Sequence, residues 1–413
     1  MGRFQAFAAF VWVWTTAASA ASSSSAAAER NTDLPVRLGF DEWLERHEKS
    51  YDTEEEWERR RVVFQANADT VLRHNEAFEQ GYTKYAMTVS GPFADLTGDE
   101  FAAAYLMEGQ NCSATHTSSG KLRRQDDSVE LPTFVDWRTR GIVTPIKNQE
   151  HCGSCWTFST TGTLEAHTCL HGAQPKGVDC TQWTGLAEQQ LLDCAVPYDN
   201  HGCNGGLPSH AFQYIKDAGG LDTEQSYRYR AADGGPCVAS SSSFGAHVAE
   251  VYNITAYDED DLVAAIAQVG PVSIAYQVSP DFRLYSHGVY DSYNATTHTT
   301  MCKSGPMDVN HAVVAVGYGQ TEGSEIDPPV PFYIVRNSWS ISWGMEGYFW
   351  MERNNNLCGV SDCASFPIVP SSQTSNNNHV PPAASTSSNN YDDLSLPKSL
   401  RASMTAKHND VTA

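Results

Sequence analysis

The chain has 413 residues, 41% hydrophobic and 18% charged, which is apolar material for one large or two ordinary cores and excludes a disordered polyelectrolyte. Its 49 acidic against 27 basic side chains leave a formal charge of -22, which argues against a nucleic-acid partner, since phosphate binding needs clustered Lys and Arg. The 11 cysteines are an odd number, so at least one sulfur is left over when the others pair within the chain.

Residues 1–20, "MGRFQAFAAFVWVWTTAASA", carry one basic residue (Arg3), an apolar run and the small residues Ala18 and Ala20, the pattern of a secretory leader with its cut site. A membrane anchor is the alternative, but the run is shorter than the roughly 20 residues that span a bilayer, and no later segment is long and apolar enough. An oxidising route makes disulfides the expected fate of the cysteines, with neither metal nor cofactor called for. Asn111, Asn253 and Asn294 each head an N-x-S/T triplet and are expected glycan sites on that route, although such triplets also arise by chance.

A Ser/Ala spacer opens residues 21–107. Thr53 and Glu56 then have capping-box spacing, and Trp57, Phe64, Ala68, Val71, Leu72 and Phe78 recur at helical steps up to Gly81, predicting an amphipathic helix of about 25 residues. Residues 116–130 read as a solvated linker, whose basic cluster Lys121 to Arg124 offers a processing site. Residues 131–369 have the Gly-, Trp- and Tyr-rich texture of a folded enzyme, with helices expected over 155–170, 186–194 and 207–220. Strands are expected over 271–278, 311–319, 332–339 and 347–353. This order predicts an α+β block of two subdomains, one mainly helical and one mainly β, with a cleft between them. Residues 370–413 are Ser/Asn-rich and read as disordered.

The string "NQEHCGSCWTFST" places Cys155 where a Gly-containing loop gives way to a helix. Unpaired N–H groups and the helix dipole there favour a thiolate. Cys152-Gly-Ser-Cys155 also has the form of a redox pair or half a zinc site, but neither a thioredoxin-like βαβ pattern nor a second matching pair accompanies it. A thiolate nucleophile needs a base, and His311 stands directly before an alternating apolar strand. Asn337, after another strand, could accept a hydrogen bond from the imidazole and fix its tautomer. Gln149 could donate to an oxyanion, with the Cys155 N–H as second donor.

These residues, with "LLDC", "CNGG", "VNHAVVAVGYG" and "NSWSISWGMEGY", resemble the papain family of cysteine peptidases across the whole 131–369 block. Glu56, Arg60, Phe64, Asn67, Val71 and Asn75 are similar to that family's ERFNIN pro-helix, with Val71 in place of Ile. The resemblance implies a papain-like fold, with a helical left domain and a β-barrel-like right domain preceded by a helical inhibitory propeptide. It implies peptide hydrolysis by Cys155, His311 and Asn337 with Gln149 in the oxyanion hole. Gly205 and Gly206 would pair with substrate, Trp343 would line the leaving-group side and Trp339 would shield the His–Asn contact, although core packing is an equal alternative for either indole. By the same resemblance Cys152 pairs with Cys203, Cys194 with Cys237 and Cys302 with Cys358; Cys169 and Cys180 have no counterpart there and are paired from proximity. Peptide and protein substrates, cystatin-like inhibitors, a monomer, and a lysosome, vacuole or the exterior as destination are its further implications.

Residues 108–115, "EGQNCSAT", resemble the mini-chain of the cathepsin H group of that family, with Gly109 in place of Pro, and "LCGVSDCASFPIV" resembles the group's C-terminal stretch. This implies a Cys112–Cys363 tether, a Thr115 carboxylate facing the substrate's amino group, and aminopeptidase action. A cathepsin L-like endopeptidase is the alternative, and a non-catalytic relative a more distant one. The departures are Glu150-His151 and Ser340 where Gly-containing motifs are usual, "VSGPFAD" in place of the family's GxNxFxD, and a Cys155–His311 interval beyond the roughly 130–150 residues of the papain spacing.

Overall fold

The computed structural model describes residues 38–112, 130–323 and 328–370. The leader, the basic linker with Thr115, and the C-terminal tail lie outside them.

Three helices open the described chain: α1 (Phe40–Arg46), α2 (Glu54–Glu79) and α3 (Gly98–Tyr105). The Thr53 hydroxyl accepts the Glu56 N–H at 3.2 Å, and Glu54, Glu55 and Glu56 fill the first turn of α2, where the dipole favours anions. Its inward face is only partly the apolar stripe of the sequence. Phe64, Ala68 and Val71 are buried, but Leu72 is 40% exposed and the polar Asn67, His74 and Asn75 are buried instead. Those polar groups satisfy backbone. Asn75 bonds both the N–H and the C=O of Met87, at 2.9 and 3.0 Å, and His74 Nε2 meets the Tyr85 carbonyl at 3.0 Å. Both partners lie in β1 (Tyr85–Met87).

After β2 (Val135–Asp136), the helices α4 (Cys155–Leu170), α5 (Glu188–Cys194) and α6 (Pro208–Ala218) agree with the sequence reading. Helix α4 is buried from Cys155 to Thr168, as a helix enclosed on all sides must be. Glu165 on α4 and Glu188 on α5 share the Lys147 ammonium, at 2.8 and 2.6 Å, so the buried charges are paired. Short strands β3 (Leu221–Asp222) and β4 (Phe244–Ala246) form a ribbon of their own.

The rest is mostly strand: β5 (Glu250–Asn253), β6 (Val272–Tyr276), β7 (Tyr285–Tyr290), β8 (Tyr293–Asn294), β9 (Thr299–Thr300), β10 (His311–Gln320), β11 (Pro331–Arg336), β12 (Tyr348–Glu352) and β13 (Ser365–Ile368). A seventh helix, α7 (Glu259–Gln268), interrupts them, where the sequence reading assigned no element; Asp258 caps it by accepting the Asp261 N–H at 3.0 Å. The main sheet has nine strands in the path β1-β7-β12-β11-β10-β6-β13-β5, with β2 also on β10, while β8 pairs with β9. The barrel-like right domain is thus an open sheet among the described residues. Its path ends on β1 and β5 without their pairing. The edge strand β1 comes from the pro-segment and runs antiparallel to β7, Tyr85 opposite Gly288.

Two cores result. One gathers Trp156, Leu164, Leu191, Phe212 and Ile215 among the helices. The other joins sheet residues Tyr276, Phe282, Trp343 and Phe349 to Trp43, Phe64 and Phe101 of the pro-segment.

Candidate active site

Cys155 is the first residue of α4, on the helical side, and His311 the first of β10, on the sheet side. Both are fully buried. The N–H of Ala312, next to His311, donates to the Cys155 sulfur at 3.3 Å, so the helix end and the strand end meet. His311 Nε2 lies 2.8 Å from Asn337 Oδ1. That oxygen also accepts the Ser338 N–H at 2.8 Å, which identifies it as the carbonyl end and places the imidazole proton on Nε2. Nδ1 is then the basic nitrogen, and it is buried with no hydrogen-bond partner among the described residues. The Trp339 indole stacks on the imidazole at 4.5 Å and Trp343 stands edge-on to Trp339 at 4.9 Å. Trp343 itself is fully buried, its Nε1–H donating to the Arg283 carbonyl at 3.0 Å, so it lies within the aromatic core.

Gln149 is held by its oxygen, which accepts from Ser338 Oγ at 2.7 Å and Trp339 Nε1 at 3.1 Å. Its amide nitrogen donates to the Cys152 carbonyl and to the Tyr105 carbonyl, both at 2.8 Å. Tyr105 ends α3. A pro-segment carbonyl therefore takes the donor that sequence reasoning reserved for an oxyanion.

From there the chain crosses the cleft. Met107 N–H donates to the Asn310 carbonyl, Glu108 N–H to Asn204, Gln110 N–H to Val309 and Cys112 N–H to Pro306, each at 3.0 Å. This strap is thus stitched to the helical side once and to the sheet side three times, and the Cys112–Cys363 disulfide fixes its end. A Cβ on Gly205 would come within 2.8 Å of Met107 Cβ, whereas one on Gly206 would meet Asn200 Oδ1 at 2.3 Å. Gly205 faces the strap and Gly206 is a packing position. Gly153, not singled out in the sequence, also faces it: a Cβ there would lie 2.8 Å from the Leu106 carbonyl.

Burial reverses the electrostatics expected of a helix-start thiol. Burial pushes the Cys155 thiol up to about 12, against the hydrogen bonds that favour its thiolate. Burial likewise lowers His311 to about 4, opposed only by Asn337. Thiol and imidazole are both neutral at pH 7. The remaining disulfides join Cys152 to Cys203, Cys169 to Cys180, Cys194 to Cys237 and Cys302 to Cys358, and Cys155 is free. With Cys152 bonded elsewhere there is no C-x-x-C redox pair. Of the three candidate glycan sites, Asn111 is exposed and Asn253 and Asn294 are half-buried.

A free cysteine and a histidine at facing element ends, under a helical pro-segment, match two family models. Residues 131–368 match the papain family cysteine protease model and residues 40–101 the cathepsin propeptide inhibitor domain (I29). The chain belongs to the papain family of cysteine proteases. It is 46% identical to the thiol protease aleurain of Arabidopsis thaliana, over 80% of this chain and 84% of that one. It is 43% identical to pro-cathepsin H of Bos taurus, over 83% and 92%. Among solved structures it resembles a digestive procathepsin L2 of Tenebrio molitor, with a TM-score of 0.70 and 34% identity, covering 81% of this chain and 100% of that one. The molecule described is thus a papain-like cysteine peptidase zymogen with its inhibitory pro-segment in place. No helix among the described residues is long and apolar enough to cross a membrane.

Proposed function

We propose that the mature protein is a cysteine aminopeptidase whose non-primed cleft is closed by residues 108–115, retained through Cys112–Cys363. The observation that carries this reading is the disulfide itself: it ties the strap to the body of the peptidase, so proteolysis on both sides would leave the strap attached. Its site acts on peptide bonds. His311 Nδ1 takes the Cys155 proton, the thiolate attacks the scissile carbonyl, and the oxyanion forms against the Gln149 amide and the Cys155 N–H. The imidazolium then gives its proton to the leaving amine as the C–N bond breaks. Water, deprotonated by His311, hydrolyses the thioester and restores the thiol. Asn337 holds the tautomer throughout. Free Thr115, generated by the second cut, would present a carboxylate to the substrate's α-ammonium, a charge-assisted contact. Secretory entry, the three glycans and a lysosomal, vacuolar or exported destination belong to the same reading, as do a monomer and inhibition by cystatin-like proteins.

Mature wild-type enzyme should cleave peptides with a free amino terminus at least about tenfold faster than their N-acetylated forms, the size expected of one charged contact. Cys112→Ser, which frees the strap, should raise cleavage of acetylated peptides, and Cys155→Ala should abolish both activities. Equal cleavage of free and acetylated peptides by the intact enzyme would replace this reading with a cathepsin L-like endopeptidase.

A further inference from the structure

Arg283 lies on the turn Pro280–Leu284 that precedes β7 and is only 3% exposed. Two of its nitrogens are satisfied by the pro-segment: Nη2 donates to Asn67 Oδ1 at 2.6 Å and Nε to the Leu96 carbonyl at 3.2 Å. The third, Nη1, donates to the Pro280 carbonyl and stands 3.7 Å from the Asp281 carboxylate. Its own backbone carbonyl holds the Trp343 indole, which packs on the Trp339 ring that covers His311. Arg283 is therefore fastened to the wall of the active site, while its Nε/Nη2 edge is occupied by residues that maturation removes.

We propose that in the mature enzyme Arg283 is a primed-side specificity residue that binds a substrate carboxylate. This rests on the peptidase reading above, in which the strap fills the non-primed side. The pro-segment runs from Leu96 at Arg283, through α3, to Tyr105 at Gln149 and only then into the strap, so Arg283 lies across the catalytic pair from the Cys112 tether. At 1.5 Å per residue, α3, which stands between the two contacts, is about 12 Å long. A peptide advances about 3.3 Å per residue when extended, and acidic and guanidinium side chains each bridge several ångströms. The residue served is thus the second or third beyond the scissile bond. Loss of Asn67 and Leu96 leaves the Nε/Nη2 edge with two donors and no acceptor, and that edge is the one suited to bidentate carboxylate pairing. Arg138 uses the same edge on Asp136 in this chain, with contacts of 2.9 and 2.7 Å. Asp281 does not compete for it, since its contact is to Nη1 and longer than a hydrogen bond.

The test uses the mature enzyme and short peptides carrying Glu or Gln at the second or third position past the cleaved bond, with an amidated C-terminus. A further series has neutral side chains and either a free or an amidated C-terminus, which separates a side-chain carboxylate from a terminal one. Each is made with a free and an acetylated amino terminus, and initial rates of the first cut are read by mass spectrometry. At one position a carboxylate should raise kcat/KM about tenfold over its neutral counterpart. The preference should shrink in 0.5 M salt, where the Debye length is only about 4 Å, and should vanish in Arg283→Gln but persist in Arg283→Lys. Equal rates for carboxylate and neutral peptides, or a preference unchanged in Arg283→Gln, would overturn the proposal. Should Arg283→Gln fail to mature because its pro-segment anchor is lost, the wild-type ratio and its salt response decide alone. Equal cleavage of acetylated peptides counts against the aminopeptidase reading only, and the Glu/Gln ratio still reports on Arg283.

Discussion

A thiol at the first position of a helix is ordinarily a better acid than a free cysteine, because the dipole and the unpaired N–H groups stabilise its anion. At Cys155 burial under Met107 and the strap outweighs those terms, and the thiol is held near 12. Maturation removes Met107 and the pro-segment before it, while residues 108–115 stay tethered, and so uncovers the thiol. Iodoacetamide should therefore alkylate Cys155 in the zymogen at pH 7 at least about 100-fold more slowly than in the mature enzyme, since only the thiolate reacts. Comparable rates, read by the mass of the Cys155 peptide, would contradict a burial-controlled nucleophile. Two neighbouring residues hold a left-handed backbone without being glycine. Glu150 and Ser340 have φ of 53° and 70°, a region costing an L-residue about 1–2 kcal/mol. The flanking contacts override that cost: the Gln149 N–H donates to the Ser338 carbonyl at 2.9 Å and the Ser340 N–H to Lys147 at 3.2 Å.

Among the elements, β1 joins the pro-segment to the sheet and α2 holds β1 in place. Asn75 replaces a missing strand partner for Met87, supplying one donor and one acceptor from a buried side chain. Asn75→Ala should leave both backbone groups unpaired and weaken pro-segment attachment by about 2–3 kcal/mol. In a Cys155→Ala background, which cannot process itself, the variant should show a lower urea midpoint for exposure of β1. An unchanged midpoint would mean that β1 is held by its ladder to β7 alone. This contact also explains what could be read in advance. The length of α2 and its Thr53 cap follow from local rules, and so do α4, α5, α6 and the long strands. The burial of Asn67, His74 and Asn75 does not, because polar residues on a helix read as its wet face until their backbone partners in β1 and the Ala94–Leu96 turn are known. Helix α3 did leave a signal, the Thr97–Glu100 capping box. Helix α7 left one as well, in Asp258 followed by an acidic first turn. The candidate site was legible as residue types and order, since Cys155, His311 and Asn337 were singled out and meet in the fold. The occupation of Gln149 by Tyr105, and of Arg283 by Asn67, required the tertiary path of the pro-segment.

At the scale of the whole molecule, the sheet is shared between inhibitor and enzyme, so anything that charges the shared face should part them. Three imidazoles lie on or beside it: His74, bonded to the Tyr85 carbonyl of β1, His287 on β7 opposite Ala86, and His311 at the start of β10. Burial lowers each of them; the Tyr85 carbonyl and Asp281 oppose this at His74, and Asn337 at His311. The attached form thus refuses protons that the detached form accepts near the ordinary value of about 6.5. Their contribution to attachment is complete above that value and is lost as pH falls toward about 4, the value held by His311. Asp291 works the other way. Held by Thr83 and the Lys84 N–H at 2.9 and 3.0 Å, its carboxyl is raised by burial and takes up a proton in the attached form first. The imidazoles therefore set the sign between pH 6.5 and 4, and attachment should weaken on acidification. Hydrogen exchange of the Tyr85–Met87 amides in Cys155→Ala zymogen, corrected for the intrinsic pH dependence, should show protection falling from pH 7 to 4.5. His74→Gln, which can still donate to the Tyr85 carbonyl without titrating, should flatten part of that fall. Protection that stays constant across the range would show that the shared sheet does not respond to these histidines, and acid activation would then have to originate elsewhere in the chain.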